Sequence, residues 1–158
     1  IDPGTRHCGM AYFSRKGTGD WQILSTEDKS PMACIEETQG WMANLLRSET
    51  VGQLVVEGYQ LFPNKMQEQG MSRMGTPEVI GALKWVFLEA FYDGFEGWFK
   101  EQGASIKQHG IKYMDELGVE FIGSNIHKRD AESHGWYRIK VLRAEARKRA
   151  RLAAKATT

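Results

Sequence analysis

An aspartate at the end of an apolar strand, directly before a Pro-Gly turn, is the feature that most narrows the folds open to this chain. The first residues read Ile1-Asp2-Pro3-Gly4-Thr5-Arg6-His7-Cys8-Gly9, and the apolar run Gly9-Met10-Ala11-Tyr12-Phe13 follows. Strand, turn and second strand is the direct reading. A sheet would then fix the Asp2 carboxylate while the loop leaves it open to a ligand. The same residues also suit an aspartate that only accepts backbone N–H bonds within the turn. With almost nothing before Asp2, the first strand is expected to have further residues upstream of Ile1.

The period of the apolar residues sets the order of elements. Residues 8–14 read as a strand, 15–20 as a Gly- and Asp-containing turn, and 21–26 as another strand, so the chain opens as an antiparallel meander. Ile35, Thr38, Met42 and Leu45 then recur at helical spacing, which predicts a helix from Pro31 to near Ser48. Leu54-Val55-Val56 between Gly52 and Gly58 reads as a short strand buried on both faces, and it ends in Glu57. Residues 59–75 lack a clear period and are expected to form a loop. Thr76-Pro77 opens a helix whose stripe of Ile80, Leu83, Phe87, Phe91, Phe95 and Trp98 predicts an end near Lys100. A short strand over 104–108, a short helix over 110–117 and an unassigned apolar stretch over 119–122 follow. A last helix runs from about Asn125 with Ile139, Leu142, Ala146, Ala150 and Ala153 as its packed face. Strands first, then strands alternating with helices, predict an α/β fold with a mixed sheet covered by helices.

With 158 residues the chain is expected to be one domain, with 135–158 as a basic helical extension. No apolar run is long enough to span a bilayer, so no membrane partner is expected. Cys8 and Cys34 make no metal-ligand pattern and fit a reducing, cytoplasmic location. The formal charge of +1 hides an asymmetry: residues 138–155 carry eight basic side chains and one acid, leaving 13 basic and 19 acidic elsewhere. A basic tail on an acidic body points to a polyanionic partner.

Three carboxylates and one or two imidazoles form the candidate site. Asp2 and Glu57 end strands. The last helix opens with Asn125-Ile126-His127-Lys128-Arg129-Asp130-Ala131-Glu132-Ser133-His134, where His127 and Asp130 are three apart and Asp130 and His134 four apart. Carboxylates converging in this way call for a cation, and hard oxygen ligands with an imidazole suit Mg²⁺ or Mn²⁺. Two such ions about 4 Å apart would support phosphodiester hydrolysis. His134 reads more readily as a packed or surface histidine than as a ligand, and Glu132 as solvent-facing.

These residues resemble the RuvC-like Holliday-junction resolvases of the RNase H-like superfamily. The resemblance is carried by Ile1-Asp2-Pro3-Gly4-Thr5 with Gly9, by Leu54-Val55-Val56-Glu57, and by His127-Lys128-Arg129-Asp130-Ala131. It implies a mixed five-stranded sheet flanked by helices, with three antiparallel strands first. It implies two divalent ions, Mg²⁺ with Mn²⁺ as substitute, on Asp2, Glu57 and Asp130. His127 would be the fourth catalytic and metal-site residue. It further implies a homodimer nicking two strands of a four-way junction, with the 76–100 helix as a candidate dimer element. Tyr59 or Phe62 would stack on bases at the branch point. Short divergent members of this kind are familiar from bacteriophages, and some also cut flaps and forks. The chain departs from the pattern in its longer 59–75 loop and in the polar turn Glu132-Ser133-His134. That turn leaves open whether His127 or His134 completes the site.

DNA contact would fall on the stripe Lys140, Arg143, Arg147, Arg151 and Lys155, with Arg6, Lys65, Arg73, Lys128 and Arg129 nearer the carboxylates. A solvated helix face is the alternative for that stripe. Three rival functions share parts of the pattern. Actin-like sugar kinases and ATPases also have an aspartate before Gly-Thr, but need two such domains. A YqgF-like RNase H-fold nuclease acting on RNA matches the first motif. A branched-DNA-binding module without cleavage is the third, and intact Asp2, Glu57 and Asp130 argue against it.

Overall fold

The computed structural model describes residues 1–15, 20–48, 53–58, 75–90 and 99–156. Strands β1 (Cys8–Arg15) and β2 (Trp21–Lys29) form an antiparallel hairpin, pairing Cys8 with Lys29 and Arg15 with Trp21, with a register shift at Tyr12/Phe13. Helix α1 (Pro31–Ser48) follows. Its start is as the sequence predicts: Pro31 needs no backbone donor at the first helical position, and the Ser30 hydroxyl accepts the Ala33 N–H at 3.3 Å. Strand β3 (Leu54–Glu57) pairs in parallel with β4 (Phe99–Gln102), Glu57 opposite Gln102. Helix α2 spans Gly75–Ala90, α3 Ile106–Leu117 and α4 Ile126–Ala156.

Among the described residues the expected five-stranded sheet is instead two two-stranded sheets, β1-β2 and β3-β4. Ile1 and Asp2 lie between them and bond to both. Asp2 and Gly9 exchange backbone bonds of 2.8 and 2.9 Å. On the other side Ile1 N donates to Val55 O at 2.6 Å and Glu57 N donates to Ile1 O at 2.9 Å. Asp2 and Gly9 form an isolated antiparallel bridge.

Alternation along these strands decides which side chains meet. Ile1, Cys8, Met10, Leu54, Val56 and Phe99 point to one face and form a core with residues of α1 and α2, including Cys34, Met42, Ile80 and Leu83. Asp2, Glu57 and Gln102 therefore point to the other face. That face is covered by α3 and α4, where Tyr113, Met114, Trp136 and Ile139 make a second cluster with Phe13 and Trp21. The helices α3 and α4 touch closely at Gly110, where an added Cβ would lie 2.0 Å from Ser133 O.

Three sequence expectations are corrected. The 76–100 helix is too long: α2 is described to Ala90, residues 91–98 lie outside the described set, and Phe99 and Lys100 belong to β4. Their aromatic spacing is helical, but parallel pairing with β3 decides the conformation. Residues 104–108 are not a strand; α3 starts at Ile106 and uses Gly110 to pack on α4. Ala146, Ala150 and Ala153 are not a packed face. The buried residues of α4 all fall between Ala131 and Ile139, and every residue from 146 to 156 is exposed. At about 1.5 Å per residue the exposed end extends roughly 15 Å.

Candidate metal centre

The start of α4 is pinned before it contributes to the site. Asn125 caps the helix, its Oδ1 accepting the Lys128 N–H at 3.0 Å, and its Nδ2 donates to Asp28 of β2 at 2.7 Å. Glu132 is wholly buried rather than solvent-facing, as a residue two positions from Asp130 was expected to be. Its carboxylate accepts the backbone N–H groups of Ile122 and Gly123, at 3.2 and 2.5 Å, and so ties the connection before α4 to the helix. A buried carboxylate needs such partners. Gly9 of β1 lets the helix start approach the sheet: an added Cβ there would sit 1.9 Å from His127 O.

On this frame the three predicted acids converge. Asp2, Glu57 and Asp130 each offer an oxygen within 4.8 Å of the others, the one such group among the described residues. His127 Nδ1 lies 2.8 Å from Asp2 Oδ2. His134, fully buried, places Nε2 3.2 Å from Glu57 Oε2 and Nδ1 2.8 Å from Gln102 Oε1. Both histidines thus touch the carboxylates, one on Asp2 and one on Glu57.

Lys107 was not legible as a site residue. Its Nζ lies 3.0 Å from Glu57 Oε2 and 2.5 Å from Asp130 Oδ2. The sequence placed it in a strand, and only the true start of α3 turns it toward the acids. Gln102 carried no signal either; its role follows from its register opposite Glu57.

Burial, then a hydrogen bond shared with Glu57, pushes the Asp2 carboxyl up to about 6, against the opposing bond to His127. Burial acts to raise Glu57 too, but its bonds to His134, Asp2 and Lys107 outweigh this and hold it at about 2. Burial opposes the Lys107 charge, and its bonds to Asp130 and Glu57 overcome that and raise it. Linkage then has two windows. A carboxyl raised in the fold binds its proton more tightly there than in the unfolded chain, so Asp2 favours folding increasingly as pH falls through about 6. Glu57 contributes stability above about 4.5 that is lost as pH falls toward about 2. In EDTA, the urea midpoint is expected to rise on acidification from pH 7 to about 5 and to fall below about 4.5. A midpoint that only falls from pH 7 to 5 would contradict the strained Asp2 carboxylate.

The donor set fits a hard divalent cation: three carboxylates in one cluster, from the Asp2 bridge, a strand end and the second turn of a helix. The predicted DNA contacts are more dispersed. Arg6 is exposed in the turn after Asp2, and Lys128 is half-buried in the first turn of α4. Arg129 donates to Gly123 O at 3.1 Å and lies over the Phe121 ring. Lys140 faces Glu116 at 3.4 Å, and Arg143 donates to the Tyr113 hydroxyl at 2.8 Å. Arg147, Arg151 and Lys155 are exposed on the projecting end of α4. Tyr59, Phe62, Lys65 and Arg73 lie outside the described residues. No described helix is long and apolar enough to cross a membrane.

No protein-family model and no curated protein sequence matches the chain. Solved structures do match its fold. Thermus thermophilus RuvC superimposes with a TM-score of 0.57 at 16% identity, over 92% of this chain and 94% of that one. T. thermophilus RuvC in complex with Holliday junction substrate gives a TM-score of 0.57 at 14% identity, over 91% and 93%. The chain has a RuvC-like mixed α/β fold.

Proposed function

We propose that the chain is a divalent-metal-dependent endonuclease that hydrolyses phosphodiester bonds in branched DNA: four-way junctions, flaps or forks. The observation that carries this reading is the convergence of Asp2, Glu57 and Asp130 within 4.8 Å. Three acids crowded into one half-buried cluster against a single lysine leave an excess of negative charge that a cation would balance. Their place in a RuvC-like fold favours a nuclease over the kinase reading.

Asp2, Glu57 and Asp130 would hold two Mg²⁺ ions, with Mn²⁺ as substitute. When bound, such ions activate water and stabilise the leaving oxygen. The residues of this chain supply the geometry. His127 fixes the Asp2 carboxylate through Oδ2, and His134, itself held by Gln102, fixes Glu57 through Oε2. Asp130 is set by the capped and strapped start of α4. In this proposal both histidines position carboxylates, where the sequence left a single fourth place to His127 or His134.

The projecting basic end of α4 would track DNA phosphates, and shape rather than base sequence would select the substrate. Arg147→Ala combined with Arg151→Ala is expected to weaken junction binding and to reduce the magnitude of the log–log salt slope by about 2. Cleavage at saturating DNA should be unchanged. Fluorescence anisotropy between 50 and 200 mM salt measures both effects, and an unaltered dissociation constant at physiological salt would remove the tail from the interface.

A homodimer is part of the same proposal. Glu78, Gly81 and Trp85 share the exposed face of α2, and Trp85 is 62% exposed. The function as a whole is tested by presenting four-way junction, flap, fork and linear duplex in competition. Nicking of branched substrates with the duplex spared supports it, and indifference to branching refutes the selectivity.

A further inference from the structure

The position of Lys107 has a consequence for how the acidic cluster takes up an ion. Lys107 lies in the first turn of α3, at the positive end of the helix dipole, where a cation is disfavoured. It is held there by two oxygens: Glu57 Oε2 at 3.0 Å and Asp130 Oδ2 at 2.5 Å. Those two carboxylates belong to the cluster whose oxygens lie within 4.8 Å of one another. A hard divalent ion bonds carboxylate oxygens at about 2.0–2.6 Å. An ion on Glu57 and Asp130 would therefore stand only a few ångströms from the ammonium, in a half-buried site where like charges repel strongly.

We propose that Lys107 is the built-in counter-ion of the ion-free cluster, and that a divalent ion must displace its ammonium from Glu57 and Asp130 to bind. The lysine stem is flexible, with four rotatable carbons, and its side chain is 22% exposed, so the head group has a route to solvent. Lys107 thus stabilises the ion-free protein, spares it the repulsion of three bare carboxylates, and sets the ion concentration at which the site loads. This rests on the metal-dependent reading above.

The test uses Mn²⁺ alone, without DNA. In isothermal calorimetry Lys107→Gln is expected to bind Mn²⁺ about tenfold more tightly than the wild type, while Lys107→Arg stays close to it. In EDTA the Gln variant should melt below the wild type and gain more on adding Mn²⁺. A second measurement needs no variant. Acetylation of Lys107 in the wild type, read by peptide mass spectrometry, should rise about threefold or more at saturating Mn²⁺, as the ammonium leaves its two carboxylates. Wild-type protein that binds Mn²⁺ with no change in Lys107 acetylation, or a folded Gln variant of unchanged affinity, would overturn the displacement and leave the metal reading intact. Wild-type protein that binds no Mn²⁺ would overturn the metal reading, and the displacement with it.

Discussion

Asp2→Asn is expected to abolish cleavage of branched DNA, by at least on the order of 10³-fold in rate, while leaving the fold and junction binding in place. Asparagine keeps the shape of the side chain and a polar partner for His127, 2.8 Å away. It removes one of three carboxylates from the cluster. The same change should not destabilise the ion-free protein. The charged Asp2 carboxylate is penalised by burial and by Glu57, which is why its carboxyl is pushed up to about 6. Above that pH a neutral side chain avoids the penalty, and a gain on the order of 1–3 kcal/mol is expected at pH 7.5 in EDTA. Opposite signs for activity and stability mark a residue held in place for function rather than for folding. Urea unfolding in EDTA and single-turnover cleavage of a labelled junction measure the two. Full activity in the variant would end the metal-centre account.

Gly9→Ala is expected to have the largest effect on stability, a loss of about 3 kcal/mol or more. A Cβ on Gly9 would stand 1.9 Å from His127 O, 2.2 Å from His127 C and 2.9 Å from Lys128 N. All three are backbone atoms, so no side-chain rotation relieves the contact. Strand β1 and the start of α4 must separate, and His127 and Asp130 move away from Asp2 together. The control is Gly40→Ala in α1, where an added Cβ meets nothing within 4 Å. That change should be neutral or stabilising by up to about 1 kcal/mol. Urea midpoints for the two variants compare them directly. A Gly9→Ala protein within about 0.5 kcal/mol of the wild type would contradict the close packing that builds the site.

The acids were legible because local rules placed them. Asp2 stands before a Pro-Gly turn, Glu57 ends an apolar run, and Asp130 lies one turn into a helix that begins at an asparagine cap. Each is a short-range pattern, and sheet alternation then sends Asp2 and Glu57 to one face. Lys107 and Gln102 were hidden because their roles depend on partners far along the chain, and Glu132 because its partners are backbone groups of the irregular connection before α4. Lys107 meets Glu57 fifty residues away, Gln102 gains its role from its register with β3, and the buried Glu132 carboxylate accepts the N–H groups of residues 122 and 123. The helix expected over 76–100 failed for a related reason. Aromatic spacing is a local signal, and the pairing of Phe99–Gln102 with Leu54–Glu57 is not. The alanines of the last helix show the converse limit. A small apolar residue at helical spacing marks a packed face only where another element covers it, and Ala146, Ala150 and Ala153 are exposed.

The most direct measurement is cleavage of an end-labelled four-way DNA junction beside a linear duplex of the same sequence, with Mg²⁺, with Mn²⁺ and with EDTA. Nicks close to the branch are expected in the presence of either ion, none in EDTA, and a spared duplex. Tight junction binding without nicks in Mg²⁺ or Mn²⁺, from the protein with Asp2, Glu57 and Asp130 intact, would contradict it.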